Sequence, residues 1–531
     1  MIWDKLEKSN QGLQQLINKE ICDYVLQCRW YGGKSSRHKT FTADHLLPLD
    51  VEGERFYFLL LEILYDKGFI HNYLLPIGLV DKKDIEDERA VICDFPGTKK
   101  VLVDGIYIDA FRKGLFEMLS KQHRIPAGNG SHIAIERGNA LRQYSKPEDF
   151  TTQVLNAEQS NTTIVYNDTF YLKLYRRLFR DKNPDIEMIQ FLSENSSFRN
   201  VPAFAASIMW SRPGVYDISF GMMQLKVDNQ GDAWPWMLHQ MKETFDAFHA
   251  NGMKVGDLPD VMPFVRVEEE ELPRKLNKIL PEQLIQGVIK MAQRTAEMHI
   301  NLSGDPINRR FRKSTYNSDY SVWLKNRLIY QFEARYGLLE DNFDKLTPYG
   351  QELARYFQSK KTDLRNHVFA FDEDRLSSQR IRIHGDYHLG QVLVSDDDFV
   401  ILDFEGEPES TIHDRCVKQS PLKDVAGMFR SFHYAIYSTI FEFDLETEER
   451  NALFDTGERI YHWITNLFLT YYLEVVYDSR LNLGYKGEVE YLLKYHLLEK
   501  AVYELGYELN ARPAWAIIPL RGIFTQMNLD D

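Results

Sequence analysis

Cysteine is scarce in this chain: Cys22, Cys28, Cys93 and Cys416 are the only four among 531 residues. Their scatter offers neither a disulfide framework nor the paired spacing of a zinc site, so it excludes a disulfide-stapled scaffold and predicts reduced thiols. Long apolar runs are missing too. FYFLLLEILY and LFLTYYLEVVY are interrupted by Glu62 and Glu474, and both are too short to span a bilayer. The start, MIWDKLEKSNQ, lacks a basic stretch followed by an apolar one, the pattern of a secretory leader. A soluble, cytoplasmic protein with no membrane partner is the expectation. Positive charge is in deficit, 64 basic against 78 acidic residues for a net −14. That balance argues against nucleic acid as a partner, because phosphate contacts need clustered Lys and Arg. It leaves room for a locally basic pocket holding one nucleotide. Internal repeats, low-complexity tracts and Pro-rich linkers are absent as well.

What is present can build a large core, with 44% hydrophobic and 13% aromatic residues. Length implies two to four domains at roughly 150 residues each. Over residues 1–145, strand-sized runs (ERFYFLLLEILYDKG, HNYLLPIGLV, RAVICDF, KKVLVDGIYID) follow an opening helix and predict a mainly β unit. Residues 146–225 carry a hairpin signal, TTIVY and TFYLKLY around Asn167-Asp168; both turn residues tolerate the left-handed backbone of a tight turn. NPDIEMIQFL then predicts a helix capped by Asn183, with Pro184 in its first position. From 226 to 531 helical periodicity dominates, with one strand-loop-strand exception.

That exception, IRIHGDYHLGQVLVSDDDFVILDFEGEP (381–408), holds the chemistry. His384 stands two residues before Asp386, Gln391 five after it, and Asp403 seventeen after it at the end of VILDF. Phosphoryl transfer needs a carboxylate that orients the attacking hydroxyl and accepts its proton. It also needs a side-chain oxygen five residues on, and a second carboxylate, for magnesium. Magnesium takes carboxylate and amide oxygens together with phosphate and water. Asp386 is therefore the candidate base, and Gln391 and Asp403 are the candidate Mg²⁺ ligands.

A lysine for nucleotide phosphates is expected on a strand. In TFYLKLY, Phe170, Leu172 and Leu174 share one face and Lys173 points from the other. Glu187, in the helix that follows, is its candidate partner. The segment before the hairpin, NAEQSNTTIVYND, has no glycine-rich loop; Ser160, Asn161 and Thr162 offer hydroxyls, an amide and backbone N–H groups instead.

HGDYHLGQVL, ILDFEGEP and SPLKDVAGMFRSF resemble the signature of bacterial maltokinases, within the aminoglycoside-phosphotransferase-type, eukaryotic-like kinase fold. RWYGGKS (29–35), AEQSNTTIVYND, YLKLYRRL, NPDIE, QGDAW (230–234), RTAEMH (294–299) and LLEKAVYELGYELNARPAW (497–515) extend the resemblance nearly end to end. It implies an α+β, bilobal protein-kinase-like fold: a β-rich N-terminal cap subdomain, a small β-sheet nucleotide lobe and a large, mainly helical C-lobe. It implies ATP and Mg²⁺ as cofactors, with Gln224, Lys226 and Val227 lining the adenine and Asp424 bracing the catalytic loop. It also implies phosphorylation of maltose at the anomeric hydroxyl to maltose 1-phosphate, feeding glycogen synthesis, and a functional link to trehalose synthase.

For the sugar, the resemblance points to the C-terminal helix and the loop after it, where Tyr503, Glu504, Glu508 and Arg512 are candidates. His384, Glu405 and Glu407 near the catalytic loop join them. A sugar wants an aromatic platform and charged hydrogen-bonding partners, and these residues supply both. RWYGGKS reads as structure only. A different acceptor, such as glucosamine or an aminoglycoside, and a non-catalytic binding module are the alternatives.

Overall fold

The computed structural model describes residues 10–33, 39–51, 53–66, 68–95, 98–155, 161–408 and 410–527. Ser160 lies outside the described residues. The chain forms two compact units: Met1–Asn195 with Pro202–Val227, and Ser196–Val201 with Asp228–Asp531. Sheets dominate the first and helices the second, a mixed α+β architecture.

In the first unit the predicted strand runs become neighbours in one antiparallel sheet. Its order is Lys39–Val51, Glu54–Tyr65, Ile70–Asp81, Lys100–Asp104, Val91–Asp94. The strand Glu54–Tyr65 is apolar on both faces, and Phe56 to Leu61 are all buried. One face meets the N-terminal helical segment through Ile17, Ile21 and Val25. The other contributes Phe56 and Phe58 to a core shared with helix Asp109–Lys121 and a second, seven-stranded sheet.

That second sheet redraws an expected boundary. His132–Arg137 pairs with Phe204–Ser211, and Arg177–Leu178 pairs with Asn72 and Tyr73 of the first sheet. Residue 145 therefore separates nothing: strands on each side of it complete one another's sheets, because neither apolar face is covered alone.

Local chemistry explains the hairpin and the helix that follows. Asn167 and Asp168 both adopt positive φ (50° and 49°), and the strands Thr162–Tyr166 and Phe170–Leu174 pair across them. Asn183 caps helix Pro184–Asn195 by accepting the Asp185 N–H at 2.9 Å.

The second unit is organised around helix Leu422–Glu442, buried on nearly every side. It packs against Ala233–Ala250, Thr447–Tyr477 and Lys486–Ala511. The hairpin Val392–Ser395/Asp398–Ile401 carries the strand that ends before Asp403. No described helix is long and apolar enough to cross a membrane.

One buried charge pair stands out in the first unit. Arg176 and Asp104 are both fully buried and 2.8 Å apart, and Arg176 also donates to Thr162 Oγ1 at 2.9 Å. Removing one member leaves the other charge stranded. Asp104→Ala should cost about 3–5 kcal/mol, read as a lower urea midpoint for exchange protection in strand Thr162–Tyr166; an unchanged midpoint would refute the assignment.

Candidate active site

The catalytic-loop candidates are assembled by one helix. Asp424, on the first turn of Leu422–Glu442, turns its buried carboxylate onto the loop. It accepts the His384 N–H at 2.7 Å and the Gly385 N–H at 2.9 Å. His299 Nε2 stands 3.1 Å from the same carboxylate. Burial alone would raise the Asp424 pKa, but the hydrogen bonds and charge from its partners hold it below the ordinary value. Further along, Ser431 Oγ accepts the Leu389 N–H at 3.1 Å.

Close approach adds to this. A Cβ on Gly427 would meet the Tyr387 carbonyl at 2.6 Å, so only glycine lets helix and loop touch there. Gly385 has φ +86°, and a Cβ on it would meet Gly406 Cα at 3.3 Å.

His384 is held by internal partners on both ring nitrogens. Placed among the sugar-binding candidates, it is 1% exposed. Its Nε2 lies 2.7 Å from the Leu402 carbonyl, which can only accept, so that nitrogen carries the proton. Nδ1 is left to accept the Asp386 N–H at 3.4 Å. The imidazole thus links the loop bearing Asp386 to the strand end bearing Asp403.

Asp386 Oδ1 receives Lys500 Nζ at 2.9 Å. Burial raises its pKa, yet Lys500, seconded by His388, overcomes this and holds it at about 2. Lys500 in turn is pushed above its usual range despite burial, chiefly by Asp386. Sequence reasoning passed over this lysine, because its spacing from the neighbouring glutamates reads as a solvated helix ladder.

The metal candidates carry the donors a hard cation prefers. Asp403 adopts φ +56°, a left-handed backbone uncommon outside glycine that concentrates at functional sites. Asp403 and Glu405 offer carboxylate oxygens within 4.8 Å of one another. Gln391 Oε1 is buried with no hydrogen-bond partner among the described residues, a vacant acceptor suited to a cation. Glu405, expected at the sugar, thus stands with the metal candidates. Arg415 braces this loop by donating to the carbonyls of Glu405, Ser410 and Pro408.

The acids assigned to the sugar are largely spent on internal partners. Glu407 pairs with Arg327 and, at 3.5 Å, with Lys423. Lys423 also reaches Glu499 at 3.0 Å. Glu504 binds Arg430 at 2.8 Å. Glu508 is 1% exposed and accepts two bonds from Arg512, at 3.0 and 2.8 Å. Glu407 and Glu508, expected at the sugar, are buried ion-pair members in this structure, since a desolvated carboxylate needs its cation. Tyr503 is half-buried, with Lys500 Nζ 5.0 Å from its ring centre. Arg512 stacks on Trp515 at 4.1 Å.

In the first unit, Lys173 projects from the partly exposed face of its strand, as alternation requires. Its Nζ lies 3.7 Å from Asp185. Asp185 is two residues upstream of Glu187 on the same helix, and both acids are buried. Asp185 was missed because it sits beside the cap and reads as a helix-dipole acid. Thr162 opens the strand Thr162–Tyr166, and Asn161 immediately precedes it. Gln224 pairs in register with Tyr171; Lys226 donates its N–H to the Thr169 carbonyl at 2.8 Å and its ammonium to Asp168 at 2.7 Å. Val227 is the last residue of the unit.

The Lys500–Asp386 pair has a definite pH signature. With its pKa near 2 against about 3.9 unfolded, the carboxylate contributes stability that is full above about pH 4 and lost as pH falls through 2. Lys500→Met leaves burial opposed only by the weaker pull of His388 and His384, so the acidic limb of any Asp386-dependent rate profile should move to higher pH. An unmoved limb would contradict the pairing.

No family model matches the chain. A 54-residue stretch is 37% identical to a glucosamine kinase from Streptacidiphilus jiangxiensis, so the chain spans only 12% of that curated relative's length and 10% of its own in this match. Solved structures are similar over far more of the chain. A glucosamine kinase in crystal form B superposes with TM-score 0.62 at 13% identity, covering 97% of this chain and 99% of that one. A glucosamine kinase in complex with glucosamine, ADP and inorganic phosphate gives 0.59 at 14% identity, covering 96% and 99%. The chain therefore has the α+β fold of these glucosamine kinases.

Proposed function

We propose that this protein is an ATP-dependent sugar kinase. The observation that carries the reading is the catalytic loop: Asp386 ionised beside Lys500, on a loop tied down by Asp424. Gln391, Asp403 and Glu405 supply oxygen donors of the type Mg²⁺ takes. In the first unit, Lys173, with Asp185 and Glu187 on the adjoining helix, would hold nucleotide phosphates, while Asn161 and Thr162 offer backbone N–H and hydroxyl groups. Bound Mg²⁺ would neutralise charge on the transferring phosphoryl group. Asp386 orients the acceptor hydroxyl. The hydroxyl oxygen forms a bond to the γ-phosphorus as the bond from that phosphorus to the ADP oxygen breaks, and the proton passes to Asp386 and on to solvent. A carboxylate with a pKa near 2 is a weak base, which suits a transfer in which the proton moves late.

The acceptor in this reading is maltose, phosphorylated at its anomeric hydroxyl to maltose 1-phosphate, a donor for glycogen-type synthesis with trehalose synthase as the functional neighbour. The motif resemblance supports it, and so does charge. Glu407, Glu504 and Glu508 are each matched by Arg327 and Lys423, Arg430 or Arg512. That leaves these acids without spare negative charge for an ammonium group and favours a neutral sugar, with Tyr503 and Arg512 as its platform and donor. Glucosamine is the second reading, favoured by the relatives described above.

ADP release from Mg-ATP against maltose, glucose, glucosamine, trehalose and kanamycin tests this directly. Maltose should be the strong acceptor; turnover with glucosamine instead would keep the kinase and reject the sugar. Asp386→Asn should lower kcat by about 10²–10⁴ while ATP still binds, and retained turnover would remove its assigned role. Arg512→Ala should raise the KM for maltose far more than that for ATP. Equal effects would make Arg512 a support for the fold.

A further inference from the structure

Arg29 and Trp30, which open RWYGGKS, have no place in that reaction. They line a cavity of about 550 Å³ built wholly from first-unit residues, with Tyr24, Tyr107, Arg89 and Asn161 among its other walls. Its size falls within the range of small-molecule sites, ~300–1,000 Å³.

The cavity is shaped by fixed groups. The Tyr24 hydroxyl donates to the Arg89 carbonyl at 3.0 Å and lies 3.3 Å from Asp104. The Arg176 guanidinium, anchored on Asp104, stands 4.9 Å from the Trp30 ring centre. Arg89 is clamped by Asp87 at 2.9 and 3.0 Å and lies 4.9 Å above Tyr107. Among the described lining residues Arg29 and Glu88 carry opposite charges, and the charge of Arg89 is spent on the clamping Asp87. Among its described residues the cavity thus combines aromatic faces and planar polar groups with no net charge. A polyanion would meet Glu88 without a surplus of cations, and a purely apolar molecule would strand the polar groups of the rim. Sugar C–H faces suit the rings, and hydroxyls suit guanidinium, carboxylate and amide groups.

We infer that this cavity binds a neutral saccharide, at a site made of different residues from the catalytic loop. Thr162 lines the same cavity and accepts from Arg176 at 2.9 Å. Asn161 and Thr162, two of the residues assigned to nucleotide phosphates, thus also line this cavity, which couples its occupancy to the nucleotide.

The test is hydrogen–deuterium exchange on the full chain with maltose and maltotriose as probes and no nucleotide present. Protection should appear in residues 24–30 and 88–91. Gln27 and Arg29 are exposed, so Gln27→Ala with Arg29→Ala should preserve the fold. That double variant should weaken saccharide binding at this site by about ten-fold or more, the loss of a charged hydrogen bond, and leave any protection around Asp386 unchanged. Protection confined to the catalytic loop and the C-terminal helix, or none anywhere, would overturn the site. Protection of 24–30 by inorganic phosphate or AMP but by neither saccharide would overturn the ligand class. Neither result bears on the kinase reading, which the ADP-release panel decides separately.

Discussion

A single buried carboxylate, Asp424, governs the geometry of the catalytic loop. Accepting two successive backbone N–H groups, from His384 and Gly385, it fixes the peptide planes that lead into Asp386. Each of those bonds is charge-assisted and shielded from water, which makes it stronger than a neutral surface bond. The rest follows mechanically. With the loop held, His384 reaches the Leu402 carbonyl and sets the strand end that presents Asp403. Gly427 and Gly385 permit the approach, since a Cβ at either would press on the loop or on Gly406. The left-handed backbone of Asp403 (φ +56°) persists because the surrounding contacts over-determine it.

Charge in the second unit is arranged in closed accounts. Glu407, Glu499, Arg327 and Lys423 form a buried network adjoining Lys500 and Asp424 in sequence. Such networks add little net stability, because desolvation cancels much of the attraction, but removing any one member is costly. Their consequence here is positional. Lys423 precedes Asp424, and Glu499 precedes Lys500, so pairing them ties the helix that holds the catalytic loop to the helix whose lysine meets Asp386. It also leaves the candidate sugar face electrically matched, a property relevant to which acceptors it tolerates.

Much of this was legible where the cause is local. Asn167-Asp168 could mark a hairpin because few residue pairs accept positive φ twice in succession. Asn183-Pro184 could mark a helix start because cap and first-turn preferences are short-range. The offsets among His384, Asp386, Gln391 and Asp403 could suggest phosphoryl transfer because they lie in one strand-loop-strand unit. What escaped depends on distant chain. Lys500 is 114 residues from its partner, and nothing in its own helix distinguishes it from a solvated lysine. The internal partners of His384, Glu407 and Glu508 escaped as well, because composition names a functional group without saying what it already bonds. The pairing of strands across 145 escaped for a similar reason: strand patterns reveal an apolar face, not which sheet will cover it. Lys39–Val51, a 13-residue strand containing Pro48 and several polar residues, was missed because its pattern alternates weakly.

Asp424 holds the candidate catalytic loop through the backbone, and amide hydrogen exchange at His384 and Gly385 reads that grip residue by residue. In the wild-type chain both amides should exchange slowly. In Asp424→Asn they should exchange about ten-fold faster or more, the loss expected for a charged acceptor, while the Leu389 amide, bound to Ser431, keeps its protection. Rapid exchange of His384 and Gly385 in the wild type, or equal protection in the variant, would contradict the account.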